Sequence, residues 1–86
     1  MYRSALKTVR LTNSHGFTIR VAVRAGNSSI CSANPVLVRQ VLAPGTSVFV
    51  STRGRYVCYR RLPTRYNAGS GWYRAVINAG LMSLWF

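Results

Sequence analysis

The sequence contains no aspartate and no glutamate among its 86 residues. Acidic side chains normally supply about half of the roughly 25% of positions that are charged in a soluble domain, so this absence is a property of the protein rather than chance. A chain without carboxylates has no carboxylate acid–base pair and no acidic group to orient a catalytic histidine. The single histidine, His15, lies in a polar cluster typical of a turn. We therefore expect a protein that is not an enzyme.

Side chains that could bind a metal ion are also scarce. The chain has one histidine and two cysteines, Cys31 and Cys58, which are too few and too far apart in sequence for a zinc site. Gly69 and Gly71 lack the spacing and the lysine of a phosphate-binding loop. We expect no metal, no cofactor and no small-molecule substrate.

The two cysteines leave two interpretations open. A disulfide between Cys31 and Cys58 would close a loop long enough to add about 3 kcal/mol of stability. Alternatively, Cys58 is an unpaired thiol that faces the core, a common place for cysteine. The first residues include no apolar stretch of signal-peptide length, which favours reduced thiols. We accordingly expect the protein in a virion or a cytoplasmic particle rather than in secretions.

No apolar run is long enough to span a bilayer. The longest, residues 75–86, is interrupted by Asn78, Gly80 and Ser83. Its last part, residues 81–86, forms an apolar tail that we expect to dock on a sheet edge or on another subunit. The predicted oligomer contacts are Leu81, Leu84, Trp85 and Phe86.

Positive charge dominates the sequence instead. Eleven arginines and one lysine give a formal net charge of +12. These charges repel each other in a small folded body, and an anionic surface would relieve the repulsion. Nucleic acid is the most common polyanion, and anionic lipid is the second. We expect DNA or RNA as the partner.

The remaining composition is typical of one small domain covering residues 1–86, in which we expect residues 1–4 to be loose. Hydrophobic residues make up 49% of the chain, which is enough for a core. The clearest alternation lies at 17–24, where apolar residues take one face and Arg20 and Arg24 the other. Such segments predict an all-β fold, a small antiparallel sandwich or barrel of about six to seven short strands. The predicted strands are 5–12, 17–24, 35–43, 47–51, 55–62 and 72–79, followed by the tail.

Residues 35–43 fit either a strand or a short helix. Asn34 and Pro35 would begin a helix, and Pro44 with Gly45 would end it. The valines in the segment and the strands around it favour a strand, which we predict.

Turn signals predict two hairpins. One joins 5–12 to 17–24. The other occupies 46–62, where a turn at Arg53-Gly54-Arg55 would hold Gly54 in the left-handed conformation if the connection has three residues. The register of this second hairpin stays open, and a shift by one residue would exchange its faces.

Arginines and aromatic residues are interleaved in and after the second hairpin. Arginine matches phosphate geometry, and tyrosine and tryptophan stack on unpaired bases. We predict the best phosphate contacts at Arg53, Arg55 and Arg65, as residues of one rim. The full set of predicted nucleic-acid-binding residues is Arg20, Arg24, Arg53, Arg55, Arg60, Arg61, Arg65, Tyr66 and Arg74.

These features predict a structural protein that binds nucleic acid without sequence preference, as a subunit of a virion or a ribonucleoprotein particle. Two alternatives stay open. One is a capsid-decorating or filament-forming assembly protein that binds acidic protein surfaces. The other is a secreted cationic protein that acts on anionic membranes, with Trp72, Trp85 and Phe86 inserting into the lipid.

Overall fold

The chain forms a sandwich of two β-sheets, as a computed structural model of residues 5–86 shows; residues 1–4, expected to be loose, lie outside the described part. This confirms the all-β prediction. Within residues 5–86 the only helical element is a 3-10 turn at Cys31–Ala33, and no helix is long and apolar enough to cross a membrane. The strands are β1 (Lys7–Thr12), β2 (Ile19–Gly26), β3 (Val36–Leu42), β4 (Ser47–Thr52), β5 (Tyr56–Leu62), β6 (Tyr73–Val76) and β7 (Leu81–Trp85).

The two sheets differ in size and in strand direction. The three-stranded sheet has the order β4-β1-β7, and the four-stranded sheet has the order β3-β2-β5-β6. All pairs of the four-stranded sheet are antiparallel. In the three-stranded sheet β4 pairs antiparallel with β1, whereas β7 runs parallel to β1, the one strand pair of the described residues that differs from the antiparallel arrangement expected.

The core lies between the sheets and is built from alternating valines and leucines. Val9 and Leu11 of β1 are fully buried, as are Val21 and Val23 of β2. The period of two in these strands places every second side chain in this layer and the others outside. The buried face predicted at 17–24 holds from Ile19 onward, whereas the strand begins after Phe17, which is exposed.

The predicted hairpin at 46–62 does not exist, although both of its strands do. β4 pairs with β1, and β5 pairs with β2 and β6, so the connection between them crosses from one sheet to the other. Gly54 does not take the left-handed conformation, since Gly45 is the only glycine with a positive φ among the described residues. The hydrophobic alternation of β4 and β5 shows that each strand has one buried face. It does not show whether the two strands pair with each other or belong to different sheets, because both arrangements bury that face.

The predicted hairpin between the first two strands is also wrong. β1 and β2 belong to different sheets, and Asn13 holds the loop that joins them. The Asn13 side chain is fully buried, and its amide nitrogen donates to the carbonyl oxygens of Phe17 at 2.9 Å and Leu42 at 3.0 Å. Its carbonyl oxygen accepts from the backbone N–H of His15 at 2.8 Å. The buried Asn13 side chain thus makes the hydrogen bonds to the loop backbone that, in a tight turn, backbone groups make with each other.

Residues 35–43 form a strand, as predicted, and not the short helix considered as an alternative. β3 pairs with β2 along its length, with a bulge between Val23 and Arg24. Val38 and Leu42 pack on the core, which places Arg39 and Val41 on the outer side of the sheet.

The apolar tail is the edge strand β7. Leu84 and Phe86 pack against the core, whereas Leu81 and Trp85 are 67% and 57% exposed on the outer side. The tail therefore divides its side chains between the core of its own chain and the surface.

Cys31 and Cys58 form a disulfide, with their Cα atoms 5.7 Å apart. Cys58 is fully buried, but it lies on the outer side of the four-stranded sheet, where the 3-10 turn covers it. The interpretation of Cys58 as an unpaired thiol that faces the core was therefore wrong.

Candidate nucleic-acid interface

Five arginines share the outer face of the four-stranded sheet. Because Val21 and Val23 point into the core, Arg20 and Arg24 of β2 point outward. The strand register then places Arg39 of β3 and Arg60 of β5 on either side of Ala22, in the middle of the sheet. We call this surface the basic face, defined by Arg20, Arg24, Arg39, Arg60, Arg74 and the ring of Trp72.

Trp72 joins two of these arginines. Its ring centre lies 5.4 Å from the guanidinium carbon of Arg24 and 5.6 Å from that of Arg60, both within the range of a cation–π contact. The Nε atoms of Arg24 and Arg60 are buried and have no hydrogen-bond partner in the described structure. The indole thus takes the place of polar partners for part of each guanidinium group.

Two arginines of the basic face are also held by backbone carbonyls. Arg24 donates from Nη1 to the carbonyl oxygen of Asn34 at 2.7 Å and to that of Ser32 at 3.3 Å. Arg74 donates from Nη1 to the carbonyl oxygen of Ser29 at 2.6 Å. These bonds fix the positions of both charges but leave the charges unneutralised, since a carbonyl oxygen is not an anion.

Tyr56 extends the basic face toward the start of β5. Its ring centre lies 5.7 Å from the guanidinium carbon of Arg74 and 5.8 Å from that of Arg55. Arg55 therefore sits beside the basic face, although it precedes the strand.

Arg20 and Arg39 are the two exposed members of the basic face without an assigned contact. Neither side chain has a hydrogen bond, ion pair or ring contact with the residues that the structure describes. They line an open depression of about 440 Å³ at the other end of the sheet, together with Gln40, Val41, Leu62 and Pro63. Two guanidinium groups over one open depression form a surface that suits a phosphate group.

The structure brings together four of the predicted binding residues, Arg20, Arg24, Arg60 and Arg74. It separates the others. Arg53 and Arg55 precede β5, whereas Arg65 and Tyr66 follow it, so these residues lie at opposite ends of a seven-residue strand and do not share a rim. Arg61 lies opposite Val21 in the register and therefore points to the inner side of the sheet.

Arg39, Tyr56 and Trp72 were not among the predicted residues. The strand predicted at 35–43 contains the signal for Arg39, because alternation from Val38 places Arg39 outward. No local signal shows that Trp72 lies between Arg24 and Arg60, since those residues are far apart in sequence.

A second cavity lies on the inner side, between the sheet edges β6 and β7. This aromatic cleft has a volume of about 270 Å³ and is lined by His15, Tyr59, Arg61, Ser70, Tyr73, Trp85 and Phe86. The ring of Tyr59 stacks on Tyr73 and meets Phe86 edge-on, each with ring centres 5.7 Å apart. Burial, and to a smaller extent the neighbouring Tyr73, raises the pKa of Tyr59, so its phenol stays neutral to a higher pH than usual.

The outer face of the three-stranded sheet differs from the basic face. It carries one arginine, Arg10, opposite the exposed ring of Phe49, with Leu81 and Trp85 on the neighbouring edge strand. The charge of the molecule is therefore unevenly distributed between its two outer faces.

No protein-family model, no curated protein and no solved structure matches this chain.

Proposed function

We propose that this protein is a non-enzymatic structural protein that binds nucleic acid through its basic face, without sequence preference, as a subunit of a particle built with other protein subunits. The observation that carries the proposal is the presence of five arginines on one sheet face in a chain without a single acidic residue. No acidic side chain of the sequence competes with phosphate for these guanidinium groups.

The energetic basis is the release of counterions from the nucleic acid. Each phosphate that an arginine neutralises frees part of the condensed ion atmosphere, so binding weakens steeply as salt is added. The backbone carbonyls and the Trp72 ring hold Arg24, Arg60 and Arg74 in place before binding, which lowers the entropy lost when phosphates bind.

Salt titration of binding to duplex DNA tests the proposal. If the five arginines each neutralise one phosphate, the plot of log K against log salt has a slope of about −4 to −5. We expect the double variant Arg20→Ala/Arg39→Ala to reduce the steepness of this slope by about two, because it removes two exposed phosphate contacts.

Arg10→Ala is the matched control. Arg10 is exposed on the outer face of the other sheet, so its removal changes the net charge without changing the basic face. A slope near zero for the wild-type protein, or equal losses per charge in both variants, would contradict the proposal.

The disulfide bears on the kind of particle. Disulfides persist in oxidising surroundings, including virion surfaces, and are rare in the cytosol. The Cys31–Cys58 bond therefore favours a virion component over a cytoplasmic ribonucleoprotein subunit. Purification from particles under conditions that trap thiols, followed by mass measurement, tests this assignment: an unmodified mass means an intact disulfide.

A second candidate function is a secreted cationic protein that acts on anionic membranes. The disulfide favours it, and so do the exposed Phe49, Leu81 and Trp85 on the side opposite the basic face. Leakage of anionic vesicles, absent with neutral vesicles and abolished by Trp85→Ser, would support this candidate.

A further inference from the structure

We propose that the aromatic cleft between β6 and β7 binds one unpaired nucleotide, with its base against the exposed ring of Tyr73 and its phosphate at Arg61, so that the protein prefers single-stranded to duplex nucleic acid. The inference rests on the proposed nucleic-acid-binding function, and it adds a second site on a different side of the molecule.

The cleft exists because the sandwich is closed on one side and open on the other. The edge strands β3 and β4 follow each other in the chain, are joined by a short turn at 43–46 and contact each other. At the opposite side, the edges are β6 and β7, and the inner-side rings of Tyr59, Tyr73 and Phe86 stand between the sheets. Aromatic surface that a continuous sheet would have covered is therefore accessible.

One ring of the cleft presents surface for stacking. Tyr73 is 57% exposed, although it is a large aromatic residue. Tyr59 fixes the Tyr73 ring, because the Tyr59 ring is packed against the core and stacks on Tyr73. A ring that is held in place and open on one side is the arrangement on which an unpaired base stacks.

Arg61 supplies the charge. It is half-buried in the cleft, and its guanidinium has no hydrogen bond, ion pair or ring contact within residues 5–86. Its backbone is held on both sides by Ser70, whose hydroxyl accepts from the Arg61 N–H at 3.0 Å and whose N–H donates to the Arg61 carbonyl at 2.9 Å. The charge is therefore anchored beside the rings without an anion to pair with it.

The size and chemistry of the cleft limit its occupant. Its volume of about 270 Å³ is below the roughly 300 Å³ at which drug-sized pockets begin, so it suits a single nucleotide unit. A cleft with aromatic walls and one guanidinium complements a planar ring that carries an anion. A base inside a duplex cannot offer its ring, because neighbouring base pairs already stack on both of its faces.

Binding of a fluorescent oligothymidylate and of a duplex of equal phosphate number tests the inference. We expect Arg61→Gln and Tyr73→Ala each to weaken single-strand binding about tenfold and to change duplex binding less than about twofold. Arg65→Gln and Tyr66→Ala are the matched controls, since both residues are exposed in the loop outside the cleft. We expect neither control to change the ratio of the two affinities.

Photocrosslinking gives a second readout that does not depend on the variants. An oligonucleotide with 5-iodouracil should crosslink to Tyr73, and mapping of the crosslink to residues outside the cleft would overturn the inference. Equal losses for single-strand and duplex binding in Arg61→Gln would also overturn it.

The same experiment separates this inference from the proposed function. If binding to both nucleic acids depends on salt and the cleft variants have no effect, the proposed nucleotide site in the cleft is wrong and the proposed function of the basic face is supported. If the wild-type protein binds neither nucleic acid, both the proposed function and the proposed nucleotide site are wrong.

Discussion

At the scale of single residues, Gly54 shows why the chain passes between the sheets where it does. A Cβ atom on Gly54 would lie 2.5 to 2.6 Å from three backbone atoms of Gly26, a distance at which something must move. Gly54 also donates from its N–H to the hydroxyl of Thr52 at 2.9 Å. The backbone of Gly54 therefore approaches the end of β2 closely, and the absence of a side chain is what permits this approach.

We expect Gly54→Ala to lower the free energy of unfolding by about 2 to 3 kcal/mol, because the backbone of β2 cannot yield as a flexible side chain would. Gly16→Ala is the control, since a Cβ there meets nothing within 4 Å and its φ is not positive. Urea denaturation followed by tryptophan fluorescence measures both. Equal stabilities of the two variants would show that the contact between Gly54 and Gly26 has no energetic importance.

At the scale of elements, the loop 27–34 is attached to the outer side of the four-stranded sheet at several points. The disulfide joins its 3-10 turn to β5, and Arg24 and Arg74 donate to its carbonyls. Asn34 is buried and bonds to the backbone of Ser28 through both ends of its amide, at 2.9 and 3.1 Å. The loop therefore helps to order two arginines of the basic face.

We expect Cys31→Ser/Cys58→Ser to lose about 3 to 4 kcal/mol of stability, since the crosslink spans 27 residues and restricts the unfolded chain. We also expect weaker duplex binding, because the loop that positions Arg24 and Arg74 becomes less ordered. Denaturation of the wild-type protein with and without a reductant provides the control, and the reduced protein should match the variant. A loss below about 1 kcal/mol would mean that the hydrogen bonds hold the loop without the disulfide.

At the scale of the whole molecule, eleven of the twelve positive charges belong to residues 5–86, in a body whose extents are 49 by 24 by 16 Å. The screening length at physiological salt is about 8 Å, so most of the arginines repel their neighbours even in buffer. Without acidic side chains this repulsion is relieved only by ions or by a partner. Stability and binding are thus coupled through the same charges.

We expect the melting temperature to rise by about 5 °C between 20 mM and 300 mM sodium chloride, the shift that roughly 1 kcal/mol produces in a domain of this size. The variant Arg10→Gln/Arg65→Gln, which lowers the charge from +12 to +10, should show a smaller rise. Calorimetry over the salt series measures both. A melting temperature that does not change with salt would show that self-repulsion is unimportant for this fold.

Much of the fold could be predicted from local patterns. Alternation placed the strands to within a few residues and put Val21 and Val23 inside and Arg20 and Arg24 outside. The anionic partner inferred from the charge and from the absence of acidic residues stays a prediction. The strand positions and the inward or outward direction of their side chains are properties of each segment by itself. The direction of a side chain in a strand depends only on its position in the alternation.

The tertiary structure alone decided which strands pair and which side chains meet. Both predicted hairpins were wrong, because the contacts that replace them join residues distant in sequence, such as Asn13 with Leu42 and Gly54 with Gly26. The same long-range pairing gathered Arg39, Arg60 and Trp72 on one face and turned Arg61 toward the aromatic cleft. The sequence by itself determined that the chain forms a basic β-protein. The position of the basic face depended on strand pairing and on the stacking of the two sheets. That packing is a property of the whole chain and not of any segment.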